Sequence, residues 1–130
     1  MILMDTDVCV ELLRGNRQVI EHRRKVTDMV AISFMTLGEL FYGVEKSSRP
    51  EHNRELVERF LLSVTCLHSD RPLMEKFGTL KAGLAARGEI LPDADILIAA
   101  TALTCGGSLV SGNKAHFERF AGLKVVDWTR

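Results

Sequence analysis

Asp5, Asp7, Glu39, Asp93 and Asp95 are the residues through which this sequence could do chemistry. If the fold brings such carboxylates together they repel, and without a counter-cation at least one must take up a proton. A divalent cation removes that conflict and reverses the local pKa logic. With only oxygen ligands on offer, Mg2+ or Mn2+ is the ion such a set would hold, through a few carboxylates plus water. Histidine-based sites are not indicated, because His22, His52, His68 and His116 show no ligand spacing. Cys9, Cys66 and Cys105 are odd in number and lack a Cys-x-x-Cys pair, which argues against both a disulfide framework and a zinc knuckle. Each acid also has a plainer role open to it. Asp5 or Asp7 could cap a helix, and Asp93 after Pro92 could cap another. Thr36-Leu37-Gly38-Glu39 matches a capping box, and Asp95 would suit the positive end of a helix dipole.

The elements that must position these acids can be read from hydrophobic spacing. Ile2-Leu3-Met4 is a short apolar run ending at Asp5 and reads as a buried strand. Val8, Leu12 and Leu13 give a helix closed by Arg14-Gly15-Asn16, and a second helix covers roughly 18–25. A strand over 29–33 leads into a helix with Leu37, Leu40, Phe41 and Val44 on its apolar stripe, which leaves Glu39 on the opposite side. Pro50 opens a fourth helix, followed by a strand over 64–67. Leu73, Phe77, Leu80 and Leu84 mark a helix that stops at Arg87-Gly88. Pro92-Asp93 starts a nearly all-apolar helix through Leu103, which must be buried on most faces. A strand over 108–111, a short helix over 114–120 and a strand over 124–126 complete the chain. Short buried strands alternating with helices predict an α/β fold: a central parallel sheet of four or five short strands with helices on both faces. Ligands in such sheets bind beyond the carboxyl ends of the strands. Asp5, Glu39, Asp95 and Asn113 are all expected at that edge.

The 130 residues fit one domain, with no linker or repeat, and the composition is that of a globular chain. Lys plus Arg and Asp plus Glu number 17 each, so the net charge is zero. Bulk positive charge is thereby excluded as a means of binding nucleic acid, whereas a local basic patch is not. Met1-Ile2-Leu3-Met4 runs straight into Asp5 without a basic lead, so no signal peptide is expected. The uncharged stretch 96–113 is broken by Thr, Gly and Ser and is short for a membrane span. A cytoplasmic location is the expectation.

Ile2-Leu3-Met4-Asp5-Thr6-Asp7 resembles the opening of PIN-domain proteins, particularly the VapC ribonuclease toxins of prokaryotic toxin–antitoxin pairs. Thr36-Leu37-Gly38-Glu39-Leu40-Phe41-Tyr42-Gly43 is similar to that family's second motif. The stretch from Asp93 to Leu103 is similar to the third, in which the constant acid corresponds to Asp95. Val110-Ser111-Gly112-Asn113 and the run from Gly122 to Trp128 resemble the family's ending, so the likeness covers 2–128 in order.

The resemblance implies a PIN domain over 1–130 with Asp5, Glu39 and Asp95 as the metal-binding catalytic triad, supported by Thr6, Asp7, Asp93 and Asn113. Many members carry an acid near position 113, where this chain has an amide. Hydrolysis of structured RNA, transfer RNA included, by a metal-activated water is the implied reaction. Arg14, Arg17, Lys81, Arg87, Lys114 and Arg119 are the candidates for holding the RNA backbone. A small VapB-like antitoxin and a homodimer are the implied partners, with no membrane. Two alternatives stay open. The strand ending in Asp5-Thr6-Asp7-Val8 also resembles the nucleophile loop of haloacid-dehalogenase-type phosphatases, with Asp5 as nucleophile, Asp7 as acid/base and Lys81 as the required downstream lysine. The third reading is a catalytically silent PIN module that only binds partners.

Overall fold

A computed structural model describes residues Met1–Arg130. The order of elements is β1 (Ile2–Met4), α1 (Thr6–Leu13), α2 (Arg17–Lys25), β2 (Val30–Ser33), α3 (Phe34–Lys46), α4 (Pro50–Leu61), β3 (Thr65–Leu67), α5 (Arg71–Ala86), α6 (Asp93–Cys105), β4 (Ser108–Val110), α7 (Lys114–Phe117) and β5 (Val125–Val126). The five strands form one sheet in the order β3-β2-β1-β4-β5, and every pairing is parallel. The chain thus builds outward from β1 through β2 to β3, then returns to the other side of β1 for β4 and β5. The topological switch falls between β1 and β4, where such sheets place their ligands.

Strand side chains alternate between faces, and both faces here are covered. Leu3, Ala31 and Leu109 join one core with Leu84, Ile96, Ile98, Ala99 and Phe117 of α5, α6 and α7. Their neighbours Met4, Val30, Ile32 and Val110 join the other, with Val8, Val19, Leu40, Val44 and Val57 of α1 to α4. That double burial is why the strands read as continuous apolar runs. Helix α6 buries six of its residues, Ile96, Ile98, Ala99, Ala100, Thr101 and Ala102, as its composition demands.

The expected last helix over 114–120 is shorter. It ends at Phe117, and the chain then turns: Phe120 N–H bonds to the Phe117 carbonyl three residues back, and Gly122 takes φ +82° to enter β5. No helix is long and apolar enough to cross a membrane.

Candidate active site at the carboxyl edge of the sheet

Asp5 follows β1 directly, and its backbone N–H donates to the Val110 carbonyl at 2.9 Å, which pins it at the switch between β1 and β4. It is the N-cap of α1. One carboxylate oxygen accepts the Thr6 N–H at 2.8 Å and the other accepts the Ser111 hydroxyl at 2.7 Å. The capping role and a role in chemistry therefore coincide in one side chain. Asp5 is only 7% exposed. Burial first, then the neighbouring Asp7 charge, pushes its carboxyl up to about 7, with Asp95 adding to the rise and the Ser111 and Thr6 bonds opposing it.

Asp7 is held from the same strand edge. Its Oδ2 accepts the Gly112 N–H at 3.0 Å, and a Cβ at position 112 would stand 2.9 Å from that oxygen, so glycine permits the approach. Burial of the carboxyl end raises the Asp7 pKa, although the residue's outer side is exposed.

Glu39 is delivered by α3. The capping box expected at Thr36 does not form, because Ser33 at the end of β2 is the N-cap and its Oγ accepts the Thr36 N–H at 3.1 Å. Thr36 thus lies in the first turn and Glu39 in the second. The Thr6 hydroxyl donates to Glu39 Oε1 at 2.6 Å and lies 3.0 Å from the Thr36 hydroxyl. A hydroxyl carries one proton, so Thr36 must donate to Thr6, and Ser33 to Thr36 at 3.5 Å. The relay runs from β2 across to α1 and ends on the glutamate.

Asp95 stands in the first turn of α6, whose N-cap is Pro92 with no side-chain cap. Asp93 is not a cap. It is the first helical residue, and its exposed carboxylate binds Lys81 Nζ at 2.9 Å. Asp95 Oδ2 lies 2.8 Å from His116 Nδ1, and Asn113 Nδ2 lies 2.8 Å from the same nitrogen. A proton on Nδ1 satisfies Asp95 and leaves no lone pair for the amide, so the two compete for one imidazole atom. The Asn113 backbone N–H also donates to Ser111 Oγ at 2.9 Å, which ties the rim of the site back to Asp5.

Asp7 and Asp95 are thus brought within the field of Asp5, and Glu39 joins through Thr6. No three His, Cys, Asp or Glu side chains converge closely enough to enclose a metal. The arrangement is an open acidic ring, each member steadied by a hydroxyl, an amide or an imidazole. Sequence reasoning missed Ser33, Thr36 and Ser111, whose signal was a hydroxyl residue at or just beyond the end of a strand. It left His116 unassigned, although it falls three residues after Asn113.

Several candidate RNA contacts are paired with acids: Arg14 with Glu11 at 3.6 Å, Lys81 with Asp93 at 2.9 Å, Arg87 with Glu89 at 3.6 Å and Lys114 with Glu118 at 3.6 Å. Arg17 and Arg119 have no such pair. Lys81, the lysine that the phosphatase reading requires, pairs with Asp93 and makes no hydrogen bond or ion pair to Asp5. Next to Glu39, an apolar groove of about 370 Å3 runs between α1, α3 and α4, lined by Val10, Leu13, Leu40, Leu56 and Val57, with Arg14 at its edge.

The PIN domain profile matches residues 2–123 of this chain. The chain is 33% identical over 127 residues to ribonuclease VapC2 of Haemophilus influenzae, covering 97% of this chain and 96% of that protein. It is 34% identical over 127 residues to the tRNA(fMet)-specific endonuclease VapC of Salmonella typhimurium, again covering 97% and 96%. Among solved structures it resembles the toxin fold in VapBC2 from Rickettsia felis bound to a promoter DNA fragment, with TM-score 0.93, 29% identity and coverage of 98% and 99%. DNA-bound VapBC from Salmonella typhimurium gives TM-score 0.92 at 33% identity, covering 98% and 97%. A match across both faces of the sheet and through all the acid-bearing elements leaves one assignment: this chain belongs to the PIN-domain family, among its VapC members.

Proposed function

We propose that residues 1–130 form one PIN domain acting as the toxic component of a type II toxin–antitoxin pair, a cytoplasmic Mg2+-dependent endoribonuclease that cuts structured RNA. The observation that carries this reading is a buried acid, Asp5, at the carboxyl edge of the sheet with the Asp7 and Asp95 charges acting on it. Such a set is strained as it stands and fits a hard divalent ion, whose oxygen preference matches the donors present. Asp5 and Asp95 would hold the ion directly. Glu39, engaged by Thr6, would complete the site through water, which suits an ion that keeps part of its hydration shell. When bound, Mg2+ supplies Lewis-acid polarisation of a phosphate oxygen and a nucleophile at neutral pH.

The chain's own residues set the stage for that chemistry. Ser111 and the Thr6 N–H fix the rotamer of Asp5, and His116 fixes that of Asp95. The Ser33–Thr36–Thr6 relay orients Glu39. Asp7 and Asn113 support the rim, while Asp93 stabilises the start of α6 through Lys81. Transfer RNA is the substrate class supported by the specificity named for the Salmonella relative. A small VapB-like antitoxin is supported by the VapBC complexes among similar structures, and the apolar groove beside Glu39 gives its chain a place to lie. A homodimer completes the proposed assembly.

The test is cleavage of a labelled RNA stem-loop with Mg2+ and with chelator. Wild-type protein should cut only with the metal, and Asp5→Asn or Asp95→Asn should lose at least about a hundredfold in rate, the scale of losing a group that acts at the transition state. Cleavage by either variant at the wild-type rate would remove that residue from the site. Hydrolysis of a phosphomonoester without RNA cleavage would favour the phosphatase alternative.

A further inference from the structure

One stripe of α5 leaves a groove that the acidic site does not use. Lys76, Thr79, Leu80, Gly83 and Arg87 follow one another at helical spacing along it, and the turn after α7 supplies the opposite wall through Arg119. The groove measures about 240 Å3. Small side chains at positions 79 and 83 keep its floor open. Arg87 lies along the floor with Nη1 3.7 Å from where a Cβ of Gly83 would stand, and its Nη2 donates to the Arg119 carbonyl at 3.4 Å, bracing one wall against the other.

The groove's lining is basic, with Lys76, Arg87 and Arg119 and no acid. The chain as a whole is neutral, and much of its positive charge is neutralised pairwise, as in Arg14 with Glu11, Arg54 with Glu58, Arg59 with Glu55, Arg71 with Glu75 and Lys114 with Glu118. Arg87 shares its charge with Glu89 at 3.6 Å. Lys76 and Arg119 have no carboxylate within ion-pairing distance, and their chain neighbours Glu75 and Glu118 are paired with Arg71 and Lys114. Two uncommitted cations therefore face one trough with no acid in its lining.

The groove is also in register with the chemistry. Arg119 follows His116, the partner of Asp95, by three residues in the α7 turn. Leu103 in the groove wall lies eight residues beyond Asp95 on α6, roughly 12 Å along a helix rising 1.5 Å per residue. That span corresponds to roughly three to four stacked nucleotides at about 3.4 Å each.

We propose that this groove between α5 and the α7 turn is a phosphate-binding subsite for the RNA backbone, with Lys76 and Arg119 as its anion contacts and Arg87 as the brace that sets its width. The assignment rests on the ribonuclease reading and adds a footprint to it: RNA is held a few nucleotides away from the bond that is cut. A neutral protein with an acidic centre needs such a remote anchor, because phosphates are repelled by the very carboxylates that serve them.

The experiment is fluorescence anisotropy of a fluorescein-labelled RNA stem-loop with the full chain in chelator, so that binding is read without cleavage. The double substitution Lys76→Gln with Arg119→Gln changes two side chains that carry no ion pair, and circular dichroism checks its fold. It should raise Kd about tenfold and flatten the slope of log Kd against log salt by about 1.5, the value for losing two phosphate contacts. A control pair, Lys46→Gln at the end of α3 with Arg49→Gln just before α4, should leave both quantities near wild type. If wild-type protein binds and cuts RNA but the groove variant matches it in Kd and slope, the groove assignment is overturned while the ribonuclease reading stands. An equal loss in the control pair overturns it too. Unchanged RNA affinity with weakened binding of a polyglutamate peptide assigns the groove to an acidic protein partner instead. Failure of the wild-type chain to bind or cut RNA removes both.

Discussion

Asp5 is held charged-side inward by the same contacts that make it a helix cap, and its ionisation works against folding in the absence of metal. Its pKa in the folded protein, about 7, lies above the ordinary 3.8 of the unfolded chain. The folded state therefore keeps its proton over a pH range where the unfolded state has lost it. Stability from this group is present below pH 3.8, declines as pH rises toward 7 and is level beyond. Thermal unfolding in chelator from pH 4 to 8 should show that decline, worth a few kcal/mol at most. Asp5→Asn should flatten it and melt higher than wild type at pH 7.5, whereas a lower melting temperature would mean that the carboxylate stabilises the fold. Asp95 invites a different prediction, because His116 grips only one of its oxygens. Outer contacts of this kind typically change metal affinity by about 10–100-fold. Titration calorimetry of His116→Ala with Mn2+ should show that weakening, and unchanged affinity would make the histidine a bystander. Asp5 and Asp95 were legible in the sequence because one follows a strand and the other opens a helix, and Glu39 because it lies opposite the apolar stripe of α3. The hydroxyls were not. Thr6 was named only through its motif, and its meeting with Thr36 spans thirty positions, a pairing that no local pattern specifies.

At the scale of elements, apolar runs too short and too continuous for helices announced a parallel sheet buried on both faces. The alternation of Leu3 and Met4, Ala31 and Ile32, and Leu109 and Val110 between the two cores bears that reading out. Boundaries were less legible where capping chemistry had two solutions. Thr36 three residues before Glu39 satisfies the pattern of a capping box, yet Ser33 takes the cap because β2 runs into α3 without a connecting loop. The same applies at α6, where Pro92 supplies a preset φ of −58° and Asp93 is drawn to Lys81. The cap at Ser33 serves two purposes, starting the helix and feeding the relay to Glu39. Ser33→Ala should cost about 1 kcal/mol of stability, or roughly 3–5 °C in melting temperature, and lower cleavage at saturating RNA as well. Unaltered cleavage in the destabilised variant would confine Ser33 to capping.

For the whole molecule, the absence of net charge decides how RNA is chosen. A chain with 17 basic and 17 acidic residues gains little from counterion release on RNA at large, so association that does not use placed cations should be weak and only shallowly dependent on salt. Recognition must then come from the shape of a folded RNA fitted between the acidic edge of the sheet and a few fixed cations. The sheet order makes this geometry possible, since the reversal at β1 and β4 brings Asp5, Ser111 and Asn113 to one crevice, with α6 and α7 delivering Asp95 and His116 beside it. Under the proposed function, a few cuts at selected sites would arrest growth without bulk loss of RNA. Expression of the chain without its antitoxin should therefore arrest growth, and sequencing of RNA ends from those cells should reveal one or a few discrete sites. Cells carrying Asp5→Asn should grow normally and lack those ends. Diffuse decay across many RNAs would contradict shape selection, and arrest that persists with Asp5→Asn would detach toxicity from the acidic site altogether.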